Sequence, residues 1–364
     1  MTAATVPTGG AAPTGSASDV TASRFDWPAI GRASGRWAVA IAGALVIFGA
    51  FMLVKGVNPL TAYGDMLSST FSSSNSIGEI LIKASPILLA ALAVTVPARA
   101  GLVNVGGEGQ LVIGGVAAAG VSLALGDGGA GVGGVVLMIV AAAAAGALWG
   151  AIAGVLRLWV GINEAVTTLL LNYLAVDLML YLIFDTWKDP NGSGQPSTRE
   201  LPVVERLPLI GMSRVHTGLF VALGAMVLMY LALSRTTWGF RLGVVGGNPE
   251  AARRSGYKVG LLLVGAIAVG GALAGLGGFV QLAGVEFKLR QGFLVGYGYI
   301  GFLASWLARH HPLQVGLGAL ALAAIAVGGD SLQIDSGLPA AGVNILMALV
   351  LLAVFGWTRV KKVA

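Results

Sequence analysis

The sequence has no cysteine and few charged residues, and both shortages restrict what the protein can be. Without cysteine there is no disulfide, no thiolate zinc site and no cysteine nucleophile. Charged residues make up only 10% of the chain, whereas soluble domains carry about 25%, and 56% of the residues are hydrophobic. This composition predicts an integral membrane protein. The 56 glycines suit helices that pack closely within lipid.

Three regions differ in composition. Residues 1–36 are rich in Ala, Thr, Ser, Gly and Pro, and they predict a disordered cytoplasmic tail because they cannot bury enough apolar surface. The first apolar run begins at Trp37 without a small-residue cleavage site soon after it, which argues against a signal peptide. Residues 37–357 predict the membrane domain, and residues 358–364 a short basic cytoplasmic tail.

Apolar segments long enough to cross a bilayer recur along the membrane domain. A spanning helix needs about 20 mostly apolar residues, and several of the candidates are short enough to be re-entrant or broken. Prolines are expected to interrupt the candidates within 77–125 and 295–328. The candidates are 37–54, 77–97, 101–125, 132–156, 164–184, 217–233, 258–284, 295–308, 312–328 and 339–357. The sequence predicts an all-α polytopic membrane protein with about ten transmembrane or partly re-entrant helices.

Two further patterns bear on topology. "GGEGQLVIGG" and "GGFVQLAG" are similar, which suggests an internal repeat of two five-span halves. With a cytoplasmic N-terminus, fourteen Lys and Arg residues lie inside and seven outside, with Lys83 within a span. This excess predicts that both termini are cytoplasmic, and it explains the +6 net charge without a nucleic-acid partner. The Pro- and Gly-rich loop 185–216 then faces outside.

A short polar segment on the cytoplasmic side has the residues of a capped helix. Asn248 can cap its start and Pro249 fits the first helical position. The charges complement the helix dipole and Gly256 supplies a left-handed stop. The segment 248–255 with its stop comprises Asn248, Pro249, Glu250, Ala251, Ala252, Arg253, Arg254, Ser255 and Gly256. A helix this short is unstable alone, so it is either a loop helix on the membrane surface or a docking element for a cytoplasmic partner.

Polar residues within the third and fifth spans are candidates for the substrate path. An ionisable group at membrane depth is a functional candidate by default, and Glu108 is the clearest. Asn104 precedes it by four positions and is expected on the same helix face, and Gln110 follows in the same Gly-rich segment. Glu108 either braces an irregular backbone or contacts substrate directly; both alternatives stay open.

On the fifth span, Glu164, Thr168 and Asn172 form one polar stripe at i, i+4 and i+8. Asn163 and Glu164 are also typical of an ordinary helix N-terminus, and this interpretation is preferred for those two. Thr168 and Asn172 are assigned to the substrate path, although a hydrogen bond within the bundle would explain Asn172 equally well. Tyr173 and Asp177 form a second pair one position round the helix.

The sequence offers no catalytic or metal-binding constellation. The glycine-rich "GGEGQ" lacks a following Lys-Ser/Thr and is no phosphate loop. Adjacent His310 and His311 point in different directions and have no third ligand in view. The chain is therefore expected to have no cofactor and to depend on a partner for any ATP hydrolysis.

Three motifs resemble one family. "GFRLGVVGGNPEAARRSGYKV" resembles the coupling-helix region of ABC-importer permeases of the branched-chain amino acid, ribose and nucleoside type. "PARAGLVNVGGEGQLVIGG" and "NEAVTTLLLNYLA" are similar to two further family segments, in the family's order. The resemblance covers about residues 40 to 357 and is greatest to the larger permease of nucleoside importers that use a basic-membrane-protein lipoprotein.

The resemblance implies a set of partners. They are a cytoplasmic ATPase with two nucleotide-binding domains that holds ATP and Mg²⁺, a second and different permease, and an extracytoplasmic substrate-binding lipoprotein. The chain would lie in a bacterial cell membrane and form part of the path for a nucleoside, with a simple sugar as the alternative. A self-sufficient secondary transporter or channel is the rival from another class, but it would show a denser intramembrane charge relay. An intramembrane enzyme would need a nucleophile–base pair, and none is discernible.

Overall fold

The computed structural model describes residues 27–360 except 193, 212, 294, 295, 339 and 340. Within these residues the chain forms thirteen α-helices and no strand beyond two isolated bridges. The helices are α1 (Trp27–Val54), α2 (Pro59–Phe71), α3 (Ser74–Arg99), α4 (Gly107–Leu125), α5 (Gly131–Val160), α6 (Glu164–Phe184), α7 (Gly218–Arg235), α8 (Thr237–Gly247), α9 (Pro249–Arg254), α10 (Val259–Gln281), α11 (Tyr297–Leu307), α12 (Pro312–Ser336) and α13 (Ala341–Val360).

The prediction of an all-α polytopic membrane protein is confirmed. Within the described residues, seven helices are long and apolar enough to cross a membrane, or eight if the bent pair α1–α2 forms one broken span. That pair bends by 115°. α11 has only 11 residues, about 16 Å at 1.5 Å per residue, and is too short to cross alone. It matches the expectation that some segments are partial spans.

Several boundaries differ from those predicted. α1 begins at Trp27 instead of Trp37, and the remaining tail residues 1–26 lie outside the described residues, as do 361–364. α2 was missed because its polar residues keep it below the hydropathy of a span. Pro86 and Pro97 were expected to interrupt, but both lie inside the continuous α3. Membrane helices tolerate proline where their neighbours satisfy the freed backbone groups.

α3 and α10 form the centre of the bundle. α3 packs against α11 and α12, and α10 packs against α4 and α5. The internal repeat of two five-span halves stays a prediction. Glycines let the backbones meet: a Cβ on Gly278 of α10 would lie 1.9 Å from the carbonyl oxygen of Leu111 on α4. Such close approach is typical of helices packed in lipid.

The long loop and the short polar helix lie at opposite ends of the bundle. The loop leads into the start of α7, whereas α8 and α9 follow its end. The loop is held down by Glu205, whose carboxylate accepts hydrogen bonds from Ser122 Oγ near the end of α4 at 2.5 Å and from Ala130 N–H just before α5 at 3.1 Å. The assignment of the loop to the outside and of the short helix to the cytoplasm stays a prediction.

Candidate functional site

A non-helical stretch interrupts the chain between α3 and α4. Residues 100–106, here called the break segment, were predicted to be the start of the third span, but α4 begins only at Gly107. Gly101 turns the chain with a left-handed φ of +76°. Irregular backbone at membrane depth is tolerated only where other groups satisfy its N–H and C=O groups. The partners of this backbone therefore define the site.

The polar stripe of α6 supplies those partners. Each of its three members is buried and accepts a hydrogen bond from a backbone N–H of the break segment or of the first turn of α4. The bonds are Val103 N–H to Glu164 Oε1 at 3.1 Å, Val105 N–H to Thr168 Oγ1 at 3.1 Å, and Gly109 N–H to Asn172 Oδ1 at 2.8 Å. The i, i+4, i+8 spacing thus aligns three acceptors along one irregular backbone.

Glu164 makes contacts beyond those expected of a residue at a helix start. Asn163 does cap α6, accepting from Ala165 N–H at 2.8 Å. Glu164, however, is buried, and besides holding Val103 N–H it pairs with Arg157 at the end of α5. The interpretation of Glu164 as part of an ordinary helix start was therefore incomplete. The position of Glu164 in the same i, i+4 stripe as Thr168 was the sequence signal that could have identified its role in holding the break segment.

Asn104 and Gln110 form a closed pair of buried amides. Asn104 Nδ2 donates to Gln110 Oε1 at 3.0 Å, and Gln110 Nε2 donates back to Asn104 Oδ1 at 3.1 Å. Asn104 also bonds the carbonyl of Ala93 and the N–H of Gly106. The prediction that Asn104 shares a helix face with Glu108 is therefore wrong, because Asn104 lies before α4 begins. The pair fixes the break segment against α3.

Glu108 lies in the first turn of α4 and caps another helix. Its Oε1 accepts from Gly296 N–H at 3.1 Å and its Oε2 from Gly298 N–H at 2.6 Å, at the start of α11. A carboxylate at a helix N-terminus satisfies free N–H groups and complements the helix dipole. A Cβ on Gly298 would lie 2.1 Å from the Glu108 nitrogen, so only glycine permits this approach. These contacts are those of the bracing alternative.

The short cytoplasmic helix is built as the sequence predicted. Asn248 Oδ1 accepts from Glu250 N–H at 3.1 Å and Ala251 N–H at 3.0 Å, and Gly256 ends the helix with a φ of +83°. Both arginines pair with Glu250, at 2.8 Å for Arg253 and 3.2 Å for Arg254. These three charged side chains are exposed, so the helix presents a charged face at its end of the bundle.

The same helix is anchored to the bundle and, through α8, to the break segment. Ala252 is buried among Val245 of α8 and Val259 of α10. One residue beyond Val245, Gly246 lies directly on the end of α3, because a Cβ there would come within 2.4 Å of the carbonyl oxygen of Arg99. At this backbone-to-backbone contact no side chain can yield by changing its rotamer. The charged helix and the break segment are therefore mechanically adjacent.

The remaining charges within spans have different environments. Lys83 forms an ion pair with Asp330 of α12. Asp177 is exposed on α6, and no hydrogen bond or ion pair reaches it from the residues that the structure describes. His310 bonds Ser305 Oγ through Nδ1 at 3.0 Å. Over those same residues, no group of three His, Asp or Glu side chains is placed to share a metal ion.

Comparison with known proteins gives the family. The model of the branched-chain amino acid transport system permease component matches residues 76–355. The glucose permease TsgB13 of Haloferax volcanii is 36% identical over 86% of this chain and 84% of its own. The guanosine permease NupP of Bacillus subtilis is 32% identical over 86% and 89%, and the nucleoside permease NupB of Lactococcus lactis 28% over 86% and 88%. The chain therefore belongs to this family of ABC transporter permeases and is a multi-pass membrane transport subunit, not an enzyme.

Proposed function

We propose that this chain forms part of the translocation path for nucleosides in an ATP-driven importer, and that α9 is its coupling helix. The observation that carries the proposal is the capped α9, which presents exposed charges on one side and contacts the break segment through α8 on the other. A helix of six residues is unstable alone and is held here by Ala252. Its exposed charged face is free for a partner.

The partners follow from the family. An ABC permease works with an ATPase and with a substrate-binding protein, and we place ATP and Mg²⁺ on the two nucleotide-binding domains of the ATPase. We further propose a second, different permease. Support comes from Bacillus subtilis, whose guanosine permeases NupP and NupQ are both similar to this chain. The outer loop 185–216 would help to receive the binding protein.

The proposed cargo is a nucleoside, and a simple sugar is the second candidate. Relatives named for guanosine and nucleosides support the first. The glucose permease of Haloferax volcanii, at 36% identity, supports the second. Nucleosides and sugars share vicinal hydroxyl groups, whereas only nucleosides also carry a flat base.

The mechanism would be a two-state exchange. Closure of the ATPase on ATP displaces α9, and α8 transfers that displacement to the break segment through Gly246. The α6 stripe holds the break segment and the first turn of α4, and Glu108 in that turn holds the start of α11, so a shift there changes how α4, α6 and α11 meet. ATP drives the exchange only to the extent that the ATPase contacts one arrangement more favourably than the other.

Charge reversal on α9 tests the proposal. Arg253→Glu with Arg254→Glu removes the exposed positive charge and opposes the helix dipole, but leaves Ala252 in place. We expect the variant to insert normally, to lose the ATPase during co-purification and to lose ATP-driven uptake. Arg235→Glu with Lys258→Glu is the matched control, since it reverses the same charge at two exposed positions outside α9.

Two results would contradict the proposal. Full ATPase stoichiometry with the α9 variant would show that α9 is a surface helix and no docking element. Uptake by the isolated chain without ATP would show a self-sufficient transporter. Ala252→Pro is a less specific probe, since Ala252 is buried against α8 and α10 and its replacement also disturbs that packing. ATP-driven uptake across a panel of guanosine, uridine, ribose and glucose then distinguishes nucleoside from sugar.

A further inference from the structure

Along the exposed side of α6, a line of aromatic and acidic residues runs beside exposed leucines such as Leu170 and Leu174. Tyr173, Asp177 and Tyr181 follow one another at i, i+4 and i+8 and therefore lie along the same side of the helix. Tyr173 is 64% exposed and Tyr181 62%, and Asp177 is exposed between them. We call these three residues and Tyr299 of α11 the outer stripe.

Asp177 lies deep within the span. α6 has 21 residues, about 31 Å at helical rise, and Asp177 is thirteen positions from its start, about 20 Å along. A carboxylate at that depth faces the interior of a bundle or a water-filled cavity, not lipid. Throughout the described part of the chain, nothing pairs with this carboxylate. The face that carries it is therefore turned toward something polar outside the subunit.

The outer stripe is continuous with the polar cluster at the break segment. Tyr299 is half-exposed, and its hydroxyl accepts a hydrogen bond from Asn172 Nδ2 at 3.3 Å. Asn172 also donates to the carbonyl of Val105 at 3.0 Å. Tyr173 follows Asn172 directly in the chain. The stripe therefore runs from the break segment along α6 toward the far end of the span.

We infer that the outer stripe lines the aqueous path and binds the cargo through its vicinal hydroxyls and one apolar face, which is the flat base of a nucleoside or the C–H face of a pyranose. This inference rests on the proposed function. A carboxylate is an acceptor with two oxygens, and it can bind two neighbouring hydroxyls at once. Tyrosine rings offer apolar faces to a sugar or base while their hydroxyls stay hydrated. An anionic cargo would be repelled by Asp177.

The chemistry is shared by ribosides and pyranoses, so the test uses both. The importer is reconstituted with its ATPase, second permease and binding protein, and ATP-driven uptake is measured for guanosine, 2′,3′-dideoxyguanosine, D-glucose and 3-deoxyglucose. The binding protein is the same in every assay, so a change in selectivity belongs to the permease. Uptake of guanosine alone identifies a riboside path, and uptake of glucose alone a sugar path.

Asp177→Asn removes the charge at almost unchanged size. We expect it to lower uptake of the hydroxylated cargo by about tenfold or more, and to reduce the preference over the deoxy analogue by a similar factor. ATPase co-purification and basal ATP hydrolysis stay unchanged. Asp65→Asn is the matched control, because it makes the same change on α2, which carries no part of the stripe or of the outer loop. Tyr173→Phe keeps most uptake, whereas Tyr173→Leu loses it, because only phenylalanine retains the ring face.

Three results would overturn the inference. Equal uptake and selectivity for Asp177→Asn and Asp65→Asn would show that the stripe does not touch cargo. Loss of the second permease from the purified Asp177→Asn complex would show that this face is an interface between permeases. Equal uptake by Tyr173→Phe and Tyr173→Leu would exclude ring contact. If the proposed function itself were wrong, the unaltered complex would take up neither cargo, and this result distinguishes that failure from failure of the inference.

Discussion

The contact between α8 and the end of α3 predicts that one methyl group will impair coupling. In Gly246→Ala the new Cβ would stand 2.4 Å from the carbonyl oxygen of Arg99 and 3.1 Å from the carbonyl carbon of Ala100. Ordinary van der Waals contact begins at 3.4 Å, so α8 must move away by about 1 Å. Overpacking of this kind costs about 1–3 kcal/mol.

The neighbouring glycine provides the control. Nothing lies within 4 Å of a Cβ built on Gly247, which occupies the same last turn of α8. Alanine is favoured over glycine by about 0.5–1 kcal/mol in a helix, and both variants gain this term. The two should therefore differ by about the overpacking cost alone. Gly243→Ala is a second control, because its nearest neighbour is the Arg99 side chain at an ordinary 3.6 Å.

The assay measures cargo transported per ATP hydrolysed in proteoliposomes. We expect Gly246→Ala to retain the ATPase and to hydrolyse ATP, while the ratio of cargo to ATP falls about fivefold, which is about 1 kcal/mol of coupling. Gly247→Ala and Gly243→Ala should keep the unaltered ratio. If all three variants transport the same amount of cargo per ATP, then the contact at Gly246 does not transmit the motion of α9.

Three further predictions address the break segment, the topology and the outer loop. Thr168→Val leaves a buried N–H of the break segment unpaired and should destabilise the subunit by about 1–3 kcal/mol. Thr167→Val is the control, because it removes only a bond within α6, and equal unfolding midpoints of the two variants in detergent would contradict the prediction. A single cysteine at the exposed Gln195 should react with an impermeant maleimide in intact cells, and reaction only after lysis would reverse the topology. Burial lowers the pKa of His216 from its ordinary 6.5, so as pH falls below about 6.5 the unfolded chain takes up the proton first and stability declines toward the folded pKa. Neither ring nitrogen of His216 has a hydrogen-bond partner among the described residues, so His216→Phe should weaken the loss of stability at low pH. The remaining loss would come from His310, whose pKa is also lowered by burial. An unchanged pH dependence of stability would refute the assignment to His216.

The features that the sequence predicted well depend on near neighbours in the chain. The cap of α9 is set by Asn248 and by amides two and three residues later, and its stop by Gly256. The α6 stripe follows from helical periodicity alone. The membrane helices follow from composition, because an apolar run of sufficient length has few other stable arrangements.

The features that the sequence did not predict depend on partners far along the chain. α4 begins six residues later than predicted because α6, about 60 residues away, binds the backbone that would otherwise have been helical. Glu164 has the local residues of a helix start and also a distant ion pair and a distant backbone donor, and only the first is visible locally. Hydropathy cannot show α11 as a capped half-span, because its cap is the carboxylate of Glu108.

A double-mutant cycle tests whether Gly246 and Thr168 act on one element. Gly246 contacts the beginning of the break segment through Arg99, and Thr168 holds its middle through Val105, so each perturbs the same short backbone. Residues that share a network show interaction energies of about 0.5–3 kcal/mol, whereas independent sites add. The logarithm of cargo per ATP for Gly246→Ala with Thr168→Val should therefore differ from the sum of the single effects. Gly246→Ala with Thr167→Val should be additive, since Thr167 bonds only the carbonyl of Asn163. Spatial adjacency alone does not establish transmission, and additivity in both cycles would refute the break segment as the element that couples α9 to the path.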